Sequence, residues 1–94
     1  MDFKGKNALV TGSSGGIGKA TAIALAREGA NVVLVSRNVP RMEETKKEIE
    51  NMGRKALVIQ CDVGDDASVA AMKEKACREF GQIDILINNA AVGV

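Results

Sequence analysis

The 94-residue chain contains no histidine, no tyrosine and no tryptophan, and its only aromatic residues are two phenylalanines. Without His or Tyr, two of the side chains most often used to move protons near neutral pH are missing. Cysteine is scarce: Cys61 and Cys77 stand sixteen residues apart, form no C-x-x-C pair and have no histidine to join them at a metal. They are expected to be reduced, partly buried thiols, and no metal site is expected. Long apolar runs are missing as well. Nothing approaches the roughly 18 residues needed to cross a bilayer, so no membrane association is expected. The opening stretch, MDFKGKNALV, lacks the apolar region and small-residue cleavage site of a secretory signal. Nor is there an excess of one charge: 13 basic and 12 acidic residues leave a net charge of +1. That balance offers no general electrostatic case for nucleic acid or an anionic membrane surface. A cytoplasmic location is the expectation. No internal linker, repeat or low-complexity segment is present.

What is there is a repeated switch of apolar period. The composition, 46% apolar and 27% charged, is that of a globular chain. This length forms one domain at most, burying roughly 60–70% of its unfolded surface with marginal stability. Ala8-Leu9-Val10 reads as a short strand. A helix follows over Ile17 to Arg27, with Ile17, Ala20, Ile23 and Ala24 expected inward and Gly29 suited to its C-terminal cap. Asn31 to Val35 is continuous and β-branched, as in a strand buried on both faces. Pro40 suits the first turn of a second helix that ends at Gly53, with Met42, Thr45, Ile49 and Met52 at helical spacing. Ala56 to Ile59 is a third strand. Asp65 can cap a third helix whose stripe is Val69, Met72, Ala76 and Phe80. Ile83 to Ile87 is a fourth strand. The order βαβαβαβ implies an α/β fold with parallel strands and right-handed crossovers. Four strands in the order 3-2-1-4 would form the first half, plus one strand, of a doubly wound dinucleotide fold.

The stretch ALVTGSSGGIGKA, at 8–20, packs four glycines into seven residues right after the first strand. A helix start offers unpaired N–H groups and partial positive charge, and glycines remove the Cβ atoms that would hold a phosphate off the backbone. Two phosphate-binding templates fail on spacing. The P-loop pattern G-x-x-x-x-G-K-[ST] meets Ser13 where it needs glycine and Ala20 where it needs a hydroxyl. The G-x-G-x-x-G pattern fails after Gly16-Ile17-Gly18. What stands is T-G-x-x-x-G-x-G: Thr11, Gly12, Gly16 and Gly18.

That pattern resembles the cofactor-binding signature of the short-chain dehydrogenase/reductase family. The resemblance continues through VSR (Val35, Ser36, Arg37), CDV (Cys61, Asp62, Val63) and GQIDILINNAA, which resembles a strand running into N-N-A-G. It covers essentially the whole chain, with Ala91 where the family most often has glycine. It implies a Rossmann-type fold and a nicotinamide dinucleotide. Gly12, Ser14 and the Gly16-Ile17-Gly18 turn would lie along the pyrophosphate and adenosine ribose. Asp62 would accept from the adenine amine, with the Val63 backbone beside the ring. Asn89 and Ala90 would pass the ribose through backbone atoms, while Thr11 and Asn88 brace the loops.

The end of the second strand bears on which dinucleotide is bound. A carboxylate there would take both ribose hydroxyls of NAD, but this chain has Ser36 and Arg37. An arginine can grip a 2′-phosphate with paired, charge-assisted bonds, so NADP(H) is expected over NAD(H) by roughly ten- to hundredfold. The lack of an acid also argues against an S-adenosylmethionine site. The resemblance supplies the proton for carbonyl reduction from a Tyr-x-x-x-Lys that this sequence does not contain, so no catalytic residue is assigned. The chain is accordingly expected to be a truncated, NADP-binding segment of such an oxidoreductase. The alternative is a non-catalytic dinucleotide-binding or interaction module. An apolar Ile83–Ile87 edge strand, or the bare sheet face beside the third helix, is expected to promote self-association.

Overall fold

The computed structural model describes residues 2–89. Ala90 and Ala91, expected near the ribose, lie outside the described residues. The elements are β1 (Asn7–Thr11), α1 (Gly16–Arg27), β2 (Asn31–Ser36), α2 (Val39–Asn51), β3 (Ala56–Gln60), α3 (Asp66–Phe80) and β4 (Ile85–Asn88). The strands form one parallel sheet in the order β3-β2-β1-β4, as expected. In register, Val10 lies beside Leu34 on one side and Ile87 on the other.

Alternation along the strands sorts the core into two layers. Ala8, Val10, Val32 and Leu34 pack with Ala22, Leu25 and Ala26 of α1 and with Met42 and Ile49 of α2. Leu9, Val33, Val35 and Ile59 face the other way and pack with Met72 and Ala76 of α3. The crossovers explain this arrangement. Steps from β1 to β2 and from β2 to β3 run in one direction, whereas the step from β3 to β4 reverses. A right-handed connection then places α3 on the opposite face. Val32 to Val35 are all fully buried, as the continuous apolar run implied.

The expected inward face of α1 is corrected by the structure. Gly18, Ala22, Leu25 and Ala26 are buried, whereas Ile17 is 77% exposed and Ala20 and Ala24 are exposed. The helix is apolar almost all round, so its period does not choose a face. Gly18 does: a Cβ built on it would lie 2.0 Å from the Gly12 carbonyl oxygen. Only glycine lets the helix lie that close to the preceding turn, and residues 22, 25 and 26 follow from Gly18 at helical spacing.

The second helix begins as expected around Pro40, with the Asn38 side chain accepting from the Arg41 N–H at 3.3 Å. Asp65 caps α3 by accepting from the Ala67 N–H at 3.2 Å. β4 is shorter than expected and starts two residues later. Ahead of it, the Asp84 carboxylate accepts from the Asn7 N–H at 2.9 Å, while the Asp84 N–H donates to the Asn7 carbonyl at 2.8 Å. The side chain thus takes a bond that a longer strand would have made through its backbone. Of the two cysteines, Cys61 is buried but Cys77 is exposed on α3, which corrects the expectation of two partly buried thiols.

Candidate functional site

The carboxyl ends of the four strands open onto one mouth, the place where open parallel sheets bind ligands because the strand order reverses there. The turn after β1 is fastened before it is exposed. Buried Ser13 donates both its N–H and its hydroxyl to the Val35 carbonyl, each at 3.3 Å. Gly12 has φ +65°, a conformation that favours glycine. No side chain caps the start of α1, so its first N–H groups are left for solvent or a ligand.

Ser14 leaves this turn to meet Ser36 at the end of β2, their hydroxyl oxygens 2.6 Å apart. The Asn38 N–H donates to the same Ser36 oxygen at 3.2 Å. Gly12, Ser14, Ser36 and Arg37, with Cys61, Asp62 and Val63 across from them, line a cleft of about 330 Å³. A second hollow of about 280 Å³ is lined by Ser14, Gly15, Gly16, Lys19, Arg41 and Glu44. Of the residues expected at a site, Gly12, Ser14, Ser36, Arg37, Asp62 and Val63 are therefore brought to one cleft, and Gly16 to the hollow beside it. Ile17 stands exposed at the helix start. Gly18 is buried beneath the turn, where it shapes the backbone from below. Asn89 is fixed by donating its N–H to the Thr11 hydroxyl at 3.2 Å, and that hydroxyl donates to Asn88 Oδ1 at 2.8 Å. Thr11 and Asn88 are thus the braces they were expected to be.

One cation was not foreseen. Arg41, in the first turn of α2, brings its guanidinium to 3.5 Å from the Ser14 carbonyl. The sequence carried a signal for it: a second arginine four residues after Arg37, in a helix that starts at the same mouth. Lys19 is partly neutralised by Glu48 at 3.5 Å, a half-exposed pair of small energetic weight.

These residues can be tested against a dinucleotide. A Cβ on Gly16 would meet no protein atom within 4 Å, so the turn is open on the side where a pyrophosphate would lie. Asn89 Nδ2 is buried with no protein partner among the described residues. The Arg37 guanidinium likewise has none there. Backbone N–H groups and two arginines could donate to phosphate oxygens, and the carboxylate across the cleft could accept from an amine, a set that fits an adenosine phosphate.

The model of the short chain dehydrogenase family matches residues 6–94. The chain belongs to the short chain dehydrogenase family. It is 47% identical over 90 residues to the uncharacterized oxidoreductase YhxC of Bacillus subtilis, a match covering 95% of this chain and 32% of that protein. The fold is similar to that of a metagenomic short-chain oxidoreductase in complex with NADP, with TM-score 0.89 and 39% identity over 96% of this chain and 41% of the other. It is also similar to an NAD⁺-bound xylitol dehydrogenase, with TM-score 0.93 and 38% identity over 97% and 35% of the two chains. The chain spans about a third of the length of the curated relatives it matches. Both neighbours share the fold, yet one is bound to NAD⁺ and the other to NADP, so overall likeness does not separate the two cofactors.

Proposed function

We propose that this chain is the NADP(H)-binding segment of an oxidoreductase that moves a hydride between the cofactor and a carbonyl or alcohol. The observation that carries the cofactor preference is the end of β2. Ser36 and Arg37 stand where an NAD site needs a carboxylate, and Arg41 adds a second guanidinium beside Ser14. Gly12, Ser14, Gly16 and Ile17 would lie along the pyrophosphate and its ribose. Ser36 and Arg37 would take the 2′-phosphate, Asp62 and Val63 the adenine, and Asn89 with Ala90 the nicotinamide-side ribose. Gly18 would contribute by holding the turn in shape. A bound nicotinamide dinucleotide supplies the hydride, and no residue here is assigned the proton. The chain holds no tyrosine, so the proposal places acid catalysis outside these 94 residues. Calorimetric titration tests it: NADPH should bind roughly ten- to hundredfold more tightly than NADH. Equal or tighter binding of NADH would overturn the preference.

A second element of the proposal is self-association, the property the interaction-module alternative would share. Leu86 of edge strand β4 is 63% exposed. It lines an apolar hollow with Leu9, Met72, Cys77 and Ile83 beside α3. An open strand edge beside apolar surface favours association. Sedimentation should show dimers or larger species as concentration rises, and a monomer throughout would sink the idea.

A further inference from the structure

Asp62 stands just beyond β3 at the rim of the cleft, and three of its polar atoms are engaged by the loop leading to α3 and by the first turn of that helix. Its N–H donates to the Ser68 hydroxyl oxygen at 3.1 Å. Its carbonyl accepts from the Asp65 N–H at 3.0 Å, and Oδ1 accepts from the Gly64 N–H at 3.0 Å. Oδ2 has no protein partner among the described residues. Ser68, the third residue of α3, is half-buried and uses its hydroxyl in both senses. While accepting from Asp62, it donates to the sulfur of buried Cys61 at 3.4 Å. One hydroxyl therefore ties two consecutive residues at the end of β3 to the first turn of α3.

We propose that Ser68 is a positioning residue for adenine recognition. By holding the Asp62 backbone to α3, it keeps the spare carboxylate oxygen, Oδ2, in place for the exocyclic amine of the ring. This rests on the adenosine-site reading given above. The physical reason is angular. Hydrogen bonds weaken steeply as their geometry departs from linear, and Asp62 is an exposed side chain on a loop. An unrestrained carboxylate would lose conformational freedom on binding and oppose the bond it makes. With Ser68 in place, part of that ordering is already present in the free protein.

The test compares NADPH with its 6-deamino analogue, in which hypoxanthine replaces adenine and a carbonyl oxygen faces the carboxylate. The full chain should prefer NADPH by about tenfold or more. Ser68→Ala should reduce that preference to about threefold or less, and Ser68→Thr, which keeps the hydroxyl, should retain it. A purely structural role for Ser68 would weaken both ligands alike and leave their ratio unchanged, which would overturn the inference. If the chain itself binds neither ligand, or does not distinguish them, the adenosine-site reading fails and the inference falls with it. Should Ser68→Ala melt below the assay temperature, Cys61→Ala serves in its place. That variant keeps the Asp62 bond but removes the sulfur that orients the hydroxyl, and it should erode the ratio part-way. No change would again overturn the inference.

Discussion

The two ends of the parallel sheet treat their polar groups in opposite ways. At the amino ends of the strands, Asn7 donates its side-chain amide to the carbonyls of Phe80 and Gln82 at 3.1 and 2.8 Å and accepts from Asn31 at 3.1 Å. Asn31 in turn accepts from the Lys55 N–H at 3.0 Å, and Asp84 closes the network on Asn7. Side chains from β1 and β2 thereby link all four strand entries. At the carboxyl ends, the bonds hold the turns from behind, through Ser13, Thr11 and Ser68. Among the described residues, they leave the start of α1, the Arg37 guanidinium and one oxygen of Asp62 without protein partners. The same backbone direction produces both ends. Polar groups satisfied within the protein stabilise it, and those left over are available to a ligand.

The largest expected effect comes from the glycine that joins the two roles. Gly18→Ala would force a methyl group against the Gly12 carbonyl oxygen, an atom of the backbone that cannot turn aside. It should cost about 3 kcal/mol or more, visible as a large drop in melting temperature, together with loss of NADPH binding. Removing charge at the mouth should separate binding from stability. Arg37→Ala, alone or with Arg41→Ala, should weaken NADPH by roughly tenfold per lost charge-assisted bond. NADH affinity and the melting temperature should barely change. Unaltered NADPH affinity in both variants would remove these arginines from the site.

The smallest effect belongs to the other end. The Asn7 N–H holds the Asp84 carboxyl below its ordinary value, with help from Gln82 and Lys6 against a desolvation that acts the other way. A depressed pKa means that the folded state prefers the ionised group. Its contribution is therefore present above the unfolded value of about 3.9 and lost as pH falls through the lower folded value. Melting temperature should drop as the solution is acidified below about pH 4, and the drop should be shallower in Asp84→Asn. NADPH affinity at neutral pH should be the same for both. A change in affinity there would show that the two ends are coupled.

Much of this was legible in the residues. Strand and helix order followed from the switches of apolar period, and the 3-2-1-4 order from reading that alternation as the first half of a doubly wound fold. The β2 run, the α3 stripe and the Asp65 cap stand where expected. The buried face of α1 was not legible, because a helix rich in alanine and isoleucine carries little periodic contrast. Nor was the late start of β4, since IDILI alternates like a strand and only the meeting of Asp84 with Asn7 cuts it short. Arg41 escaped notice for a similar reason. Its proximity to Ser14 depends on how α2 lies against the glycine turn, a contact across 27 residues of chain.

By itself, the sequence determined the kind of fold, the place of the glycine turn and the absence of a carboxylate after β2. Those features depend on local composition and short spacings. The tertiary structure alone decided which side of α1 is buried and which glycine packs beneath the turn. It also decided which atoms of Asp62 are left over once Gly64, Asp65 and Ser68 have taken their share. Those outcomes rest on close approach between segments distant in the chain, where a few tenths of an ångström separate a contact from a clash.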